Sequence, residues 1–226
     1  MFAGTAMLPF TLITIFALGA IIGSFLNVVA LRMGTGIGFF KSSFCFTCSV
    51  ALPFYELVPI FSFMALQGRC RSCSTKIHFQ YPLAEALSGI LFVLVWLREM
   101  GGTTLFDVFL RTSVHERVLP HVILLWAIAS VLLAIAVYDI RHKIIPNSFA
   151  YAFIFLALFP LLVSWFSDFE FWKHGVSHLF AGFVFFLAFF ALWFLSRGRW
   201  MGFGDAKLAA GIGLLLGFSN GAAAII

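Results

Sequence analysis

Gly202-Phe203-Gly204-Asp205-Ala206-Lys207 decides how the chain is read. The stretch sets an aspartate behind two glycines, at the mouth of the apolar segment Ala206–Ile226. A second aspartate, Asp139, closes another apolar segment, within Tyr138-Asp139-Ile140-Arg141-His142-Lys143-Ile144-Ile145-Pro146-Asn147. The rest of the chain is of the same apolar kind. Of its 226 residues 62% are hydrophobic and 10% charged, whereas soluble domains carry about 25% charged residues. Mean hydropathy is +1.07. These figures exclude an ordinary soluble domain and predict an integral membrane protein in a lipid bilayer. No nucleic-acid partner is expected.

A membrane-spanning helix needs ~20 mostly apolar residues. Six segments are candidates: Met7–Leu31, Pro82–Leu97, Leu119–Tyr138, Ser148–Phe166, Val176–Leu195 and Ala206–Ile226. The second is short and carries Glu85. The first reads as a membrane helix rather than a cleavable leader, because it lacks a basic start and its apolar run is too long. The expected fold is therefore all-α and polytopic, with about six transmembrane helices, since open sheet edges do not face lipid.

Basic residues orient the chain. Arg32, Lys41, Arg69, Arg71 and Lys76 follow the first span, Arg141 and Lys143 follow the third, and Arg197, Arg199 and Lys207 precede the sixth. The opposite connections hold fewer, namely Arg98, Arg111, Arg117 and Lys173. Lys and Arg favour the cytoplasm, so both aspartates are expected at the cytoplasmic face. The opposite side also carries Glu99, Asp107, Glu116, Asp168 and Glu170. His115, His121, His174 and His178 have no metal-ligand spacing and read as headgroup-level residues. Gly213 and Gly217 fit close helix packing better than a nucleotide loop.

Cys45-Phe46-Thr47-Cys48 and Cys70-Arg71-Ser72-Cys73 use all four cysteines of the chain. Two C-x-x-C pairs can enclose one tetrahedral Zn²⁺. Two disulfides or a redox pair are the alternatives. A cytoplasmic side argues against stable disulfides, and four protein ligands leave no open catalytic position. Between the pairs, Leu52–Phe63 is apolar but broken by Pro53 and Pro59, and is expected to lie on or dip into the membrane surface. Glu56 is the single acid between residues 32 and 81, with Arg69 or Arg71 as its expected partner.

Two carboxylates that hold one water can hydrolyse a peptide bond. The ionised one acts as general base, and the protonated one donates to the scissile carbonyl. Asp139 and Asp205 lie on different apolar segments and suit that pairing. Gly202 and Gly204 would permit positive φ and close approach of a substrate backbone. Pro146 ends the segment after Asp139. The bland alternative is two helix-end charges that pair with Arg141, Lys143 or Lys207. An ion transporter would set its carboxylates near the bilayer midplane, not at one face.

From Gly23 to Gly217 the chain resembles the type IV prepilin peptidase family. The resemblance rests on Gly23-Ser24-Phe25-Leu26-Asn27-Val28-Val29, on the cysteine pairs with Gln67-Gly68-Arg69, on Tyr81-Pro82-Leu83-Ala84-Glu85, and on the two aspartate motifs. It implies a GxGD membrane aspartyl protease of the bacterial inner membrane. Such an enzyme cuts the basic leader from prepilins or pseudopilins, with Asp139 and Asp205 as catalytic pair and Gly202, Gly204 and Lys207 in support. It further implies methylation of the new N-terminus by S-adenosylmethionine, tied to the cysteine-bearing loop, with Glu56 and Glu85 where the family carries acids. Arg141 and Asn147 stand where many members have acidic residues. Members usually continue with further hydrophobic segments, which implies a longer protein.

The expected organisation is a first transmembrane helix (1–31), a cytoplasmic zinc-binding tetracysteine loop (32–81) and a transmembrane aspartyl peptidase core (82–226). Three other readings stand beside it. They are a peptidase alone with the zinc loop as prepilin dock, a non-catalytic membrane assembly protein, and a membrane thiol oxidoreductase that cycles a C-x-x-C pair.

Overall fold

The computed structural model describes residues 3–36, 38–39, 41–101, 118–167 and 171–225. Among these the regular elements are helices: α1 (Ala3–Arg32), α2 (Phe61–Ala65), α3 (Gln80–Met100), α4 (Val118–His142), α5 (Asn147–Ser167), α6 (Phe171–Leu195) and α7 (Phe203–Ile225). A single 3-10 turn, Phe54–Leu57, precedes α2. Asp107, Arg111, His115, Glu116, Arg117, Asp168 and Glu170 lie outside the described residues.

The six expected segments are helical as far as they are described, but among the described residues four stretches are long and apolar enough to cross a membrane: Leu8–Arg32, Val118–His142, Gly175–Leu195 and Phe203–Ala224. This corrects the expected six. Among the described residues α5 offers a shorter apolar stretch, Asn147–Leu162. Helix α3 carries Glu85 in its second turn and Arg98 and Glu99 at its end.

The chain forms two compact units, Met1–Val137 and Tyr138–Ile226. In the first, α1 packs on α3 through small residues. A Cβ on Gly23 would lie 2.8 Å from Ser88 Cβ and 2.9 Å from the Ala84 carbonyl oxygen. Ile15, Phe92, Trp96, Met100 and Val122 form the buried cluster beside that contact. Trp126 stacks on Phe92 at 4.8 Å and donates its indole N–H to the Phe92 carbonyl at 3.0 Å. At the end of α1, the buried Arg32 guanidinium donates to the carbonyls of Gly38, Phe39, Lys41 and Ser42. Carbonyl dipoles from the helix end favour a cation there.

In the second unit α7 packs against α6 and α5. Gly213 fulfils the packing expectation, since a Cβ there would lie 2.7 Å from the Gly182 backbone. Gly217 does something else. Its φ of 72° and ψ of −173° interrupt α7, in a region open essentially to glycine. His178 Nδ1 bonds the Leu214 carbonyl at 3.0 Å. A break of this kind frees carbonyls from the helical ladder, and the histidine supplies a partner.

Candidate active site and candidate metal centre

Asp139 sits in the last turn of α4. The helix ends because Lys143 turns left-handed, at φ 55°, and its N–H bonds the Asp139 carbonyl at 2.8 Å. Pro146 holds the preceding residue out of the helical region, and α5 opens at Asn147. The expected helix-end position of this aspartate is what the structure has.

Asp205 is the third residue of α7, and its Oδ2 accepts the Gly202 N–H at 3.0 Å. That is one half of a capping box, and the positive end of the helix dipole favours a carboxylate there. Neither Gly202 nor Gly204 takes positive φ, contrary to expectation. Gly204 already belongs to α7 and is needed for another reason. A Cβ there would lie 2.7 Å from Ile145 Cβ. The close approach joins this chain's own two aspartate motifs.

Both motifs line one cleft of about 330 Å³, formed by Asp139, Lys143, Ile144, Ile145, Asn147 and residues 202–205. Beside it, Lys207 is buried, and its Nζ donates to Asn147 Oδ1 at 2.6 Å. The ammonium also lies 4.7 Å from the ring centroids of Tyr151 and Phe203, within cation–π range. Sequence reasoning singled out Lys207 but gave it an aspartate as partner. The contacts of Lys207 with Asn147, Tyr151 and Phe203 were not foreseen, although the i, i+4 spacing of Phe203 and Lys207 on a helix was a signal.

The four cysteine Sγ atoms lie within 4.8 Å of one another, and no disulfide joins them. Cys45 Sγ and Cys73 Sγ are 3.7 Å apart. Tetrahedral ligands at the zinc–sulfur distance of ~2.3 Å would sit ~3.8 Å apart, so the spacing fits such an ion. Each pair is the same tight turn. Ser49 N–H bonds the Cys45 carbonyl at 2.8 Å, and Ser74 N–H bonds the Cys70 carbonyl at 2.9 Å. Both serines have φ 57°. The repeated C-x-x-C-S was the legible sign of this two-fold build.

The thiols are uneven. The Thr75 hydroxyl and backbone N–H hold Cys73 down to about 6. Backbone N–H groups of Cys48 and Thr47 also lower Cys45. At Cys48 the Val50 N–H pulls down, but loss of water and the other three thiols push it up to about 11.

Glu56 pairs with Arg71 at 3.6 Å. Glu85 is buried on α3 and accepts the Ile60 N–H at 2.7 Å. Ile60 has φ 64° and ψ −50°, and the Phe61 N–H bonds the Pro59 carbonyl at 2.6 Å. This is a γ-turn of the strained kind, at a β-branched residue for which positive φ is an outlier. Such strain costs about 1–3 kcal/mol. The Glu85 carboxylate is its visible support.

Residues 17–99 match the sequence model described as Bacterial Peptidase A24 N-terminal domain, and residues 126–226 match that of the Type IV leader peptidase family. A protein of Bacillus subtilis named prepilin leader peptidase/N-methyltransferase is 33% identical over 212 residues, covering 93% of this chain and 75% of its own. The chain belongs to the type IV leader peptidase family. A relative of the same name from Myxococcus xanthus is 34% identical over 217 residues, 92% of this chain and 57% of its own. One from Neisseria gonorrhoeae is 29% identical over 238 residues, 93% of this chain and 76% of its own. No solved structure matches. In this leader peptidase family member the first matched region holds the four cysteines, Glu56 and Glu85, and the second holds Asp139, Asp205 and Lys207.

Proposed function

We propose that this chain removes the basic leader from type IV prepilins or pseudopilins by aspartyl chemistry at Asp139 and Asp205. The observation that carries the reading is the single cleft lined by both carboxylates and both motifs. One carboxylate, ionised, takes a proton from a water held between them. The other, protonated, donates to the scissile carbonyl oxygen as the tetrahedral centre forms. Lys207, held by Asn147, fixes the turn that follows Asp139 against the helix that bears Asp205.

The same chain is proposed to methylate the new N-terminus, which rests on family membership. Glu56 and Glu85 are both engaged within the loop. S-adenosylmethionine would be the methyl donor. Cys45, Cys48, Cys70 and Cys73 would hold a structural Zn²⁺, which supplies folding energy and no open position for chemistry.

Arg141, Lys143, Arg197 and Arg199 flank the two aspartates. They favour a cytoplasmic face for the cleft in a multi-pass protein of the bacterial inner membrane. The proposed organisation keeps a first transmembrane helix (1–31), a zinc-held loop (32–81) and a peptidase core (82–226). The test is the intact mass of a prepilin after incubation with the purified protein and S-adenosylmethionine. Leader loss with one added methyl group supports both activities. Leader loss alone makes the loop a recognition module. A prepilin left whole rejects the peptidase reading.

A further inference from the structure

The segment between the cysteine pairs exposes large apolar side chains. Phe54 is 84% exposed, Phe61 74% and Met64 70%. Phe61 and Met64 share one face of α2 by their i, i+3 spacing. The surface does not end there. Phe63 meets Phe79 edge-on at 6.2 Å, and Phe79 begins a stripe of exposed apolar residues along α3: Leu83, Leu87, Ile90, Leu94 and Leu97. The stripe has the 3.6-residue period, and the opposite face of α3 carries the buried residues Glu85, Ser88, Phe92 and Trp96. An exposed apolar stripe of this length suits contact with lipid. The aromatic segment continues that surface beyond the helix end.

Charge points the same way. Glu56, the single acid between residues 32 and 81, is taken up by Arg71. Lys41, Arg69 and Lys76 are exposed, and Arg69 and Lys76 lie opposite each other in an antiparallel bridge. Exposed aromatic and apolar side chains flanked by cations match a lipid monolayer with anionic headgroups. The strained turn explains how the segment is held. Ile60 redirects the chain between the 3-10 turn and α2, and the buried Glu85 of α3 fastens it there.

We propose that residues 53–66 form an in-plane anchor, in which Phe54, Phe61 and Met64 seat in an anionic lipid monolayer and the Glu85–Ile60 bond ties them to α3. The tetracysteine module thereby gains a second attachment to the bilayer besides its chain ends. The proposal does not depend on the peptidase reading.

The test places a photoreactive benzophenone side chain at Phe61, at Met64, or at Leu94 as a membrane reference. The chain is reconstituted in nanodiscs of phosphatidylcholine and phosphatidylglycerol. Irradiation should yield lipid adducts at Phe61 and Met64 within a few-fold of Leu94. Phosphatidylglycerol should exceed its mole fraction in those adducts. Arg69→Gln with Lys76→Gln should reduce that excess several-fold. Glu85→Ala should lower labelling at Phe61 several-fold without changing Leu94, while Glu85→Gln, which keeps an acceptor, should preserve it. Labelling at Leu94 with none at Phe61 or Met64 overturns the anchor. So does an adduct formed only with an added prepilin, which would make the surface a protein dock. Adducts in simple mole ratio overturn the choice of an anionic surface.

Discussion

Lys207 Nζ and Asn147 Oδ1 are 2.6 Å apart, and they bind the second turn of α7 to the first residue of α5. The ammonium is buried, so its acceptor matters more than a surface partner would. Asn147→Leu should therefore destabilise the protein by about 1–3 kcal/mol. Asn147→Asp, which supplies a carboxylate at the same place, should not. Thermal unfolding of both variants in one detergent decides it, and equal midpoints would refute the role given to this bond.

Asp139→Asn and Asp205→Asn should each lower prepilin cleavage by about 10²–10⁴-fold, the range for loss of a positioned acid or base. Both should keep wild-type helicity. Asp205→Asn retains an oxygen that can accept the Gly202 N–H, so any loss of activity would report chemistry rather than capping. Cleavage by either variant at the wild-type rate would remove the aspartyl mechanism.

Gly204→Ala puts a methyl group where Ile145 Cβ is already 2.7 Å away. The turn after Asp139 must shift, and a displacement of ~1 Å can cost about 10²-fold in rate. We expect kcat to fall by that order with the melting temperature little changed. Adding Ile145→Ala should recover part of the activity. Full activity in Gly204→Ala would mean that the two motifs need not touch.

The cysteine module should hold one zinc per chain, lost in Cys73→Ser. Cys73 is held down to about 6, below the ordinary thiol range. Its thiolate therefore contributes fully above that range, and the contribution fades as pH falls through about 6. Ligating thiols must be deprotonated, so zinc release should steepen below that pH. Cys48, pushed up to about 11, must give up a proton when the metal enters. Binding near neutral pH in weak buffer should then release at least one proton but fewer than four. Four released protons would contradict a Cys73 thiolate in the metal-free loop.

Much of this fold is legible from apolar runs alone, because every long run became a helix. Run length was a poorer guide to crossing. Pro82–Leu97 reads as a short span, yet its helix carries Glu85 in its second turn and is not among the four apolar enough to cross. The aspartates stand out because two carboxylates lie at the ends of separate apolar runs, one of them framed by glycines. Their surroundings were not legible. No local rule pairs Lys207 with an asparagine 60 positions earlier, and none says that Ile145 occupies the space above Gly204. Gly217 looked like a packing glycine on spacing, and only its dihedral angles distinguish a helix break. Such contacts are set by how helices lean on one another, which spacing along the chain does not encode.

Arg32 carries a last consequence, for anyone who would move the cysteine module into another protein. Its guanidinium reaches from the final turn of α1 to four carbonyls between Gly38 and Ser42. The residues after the helix are thus laced back onto it rather than hanging as a tether. A graft cut at residue 33 would leave those carbonyls without their donor. The transplantable piece therefore includes the last residue of α1, so the module's boundary lies in the helix itself and not after it.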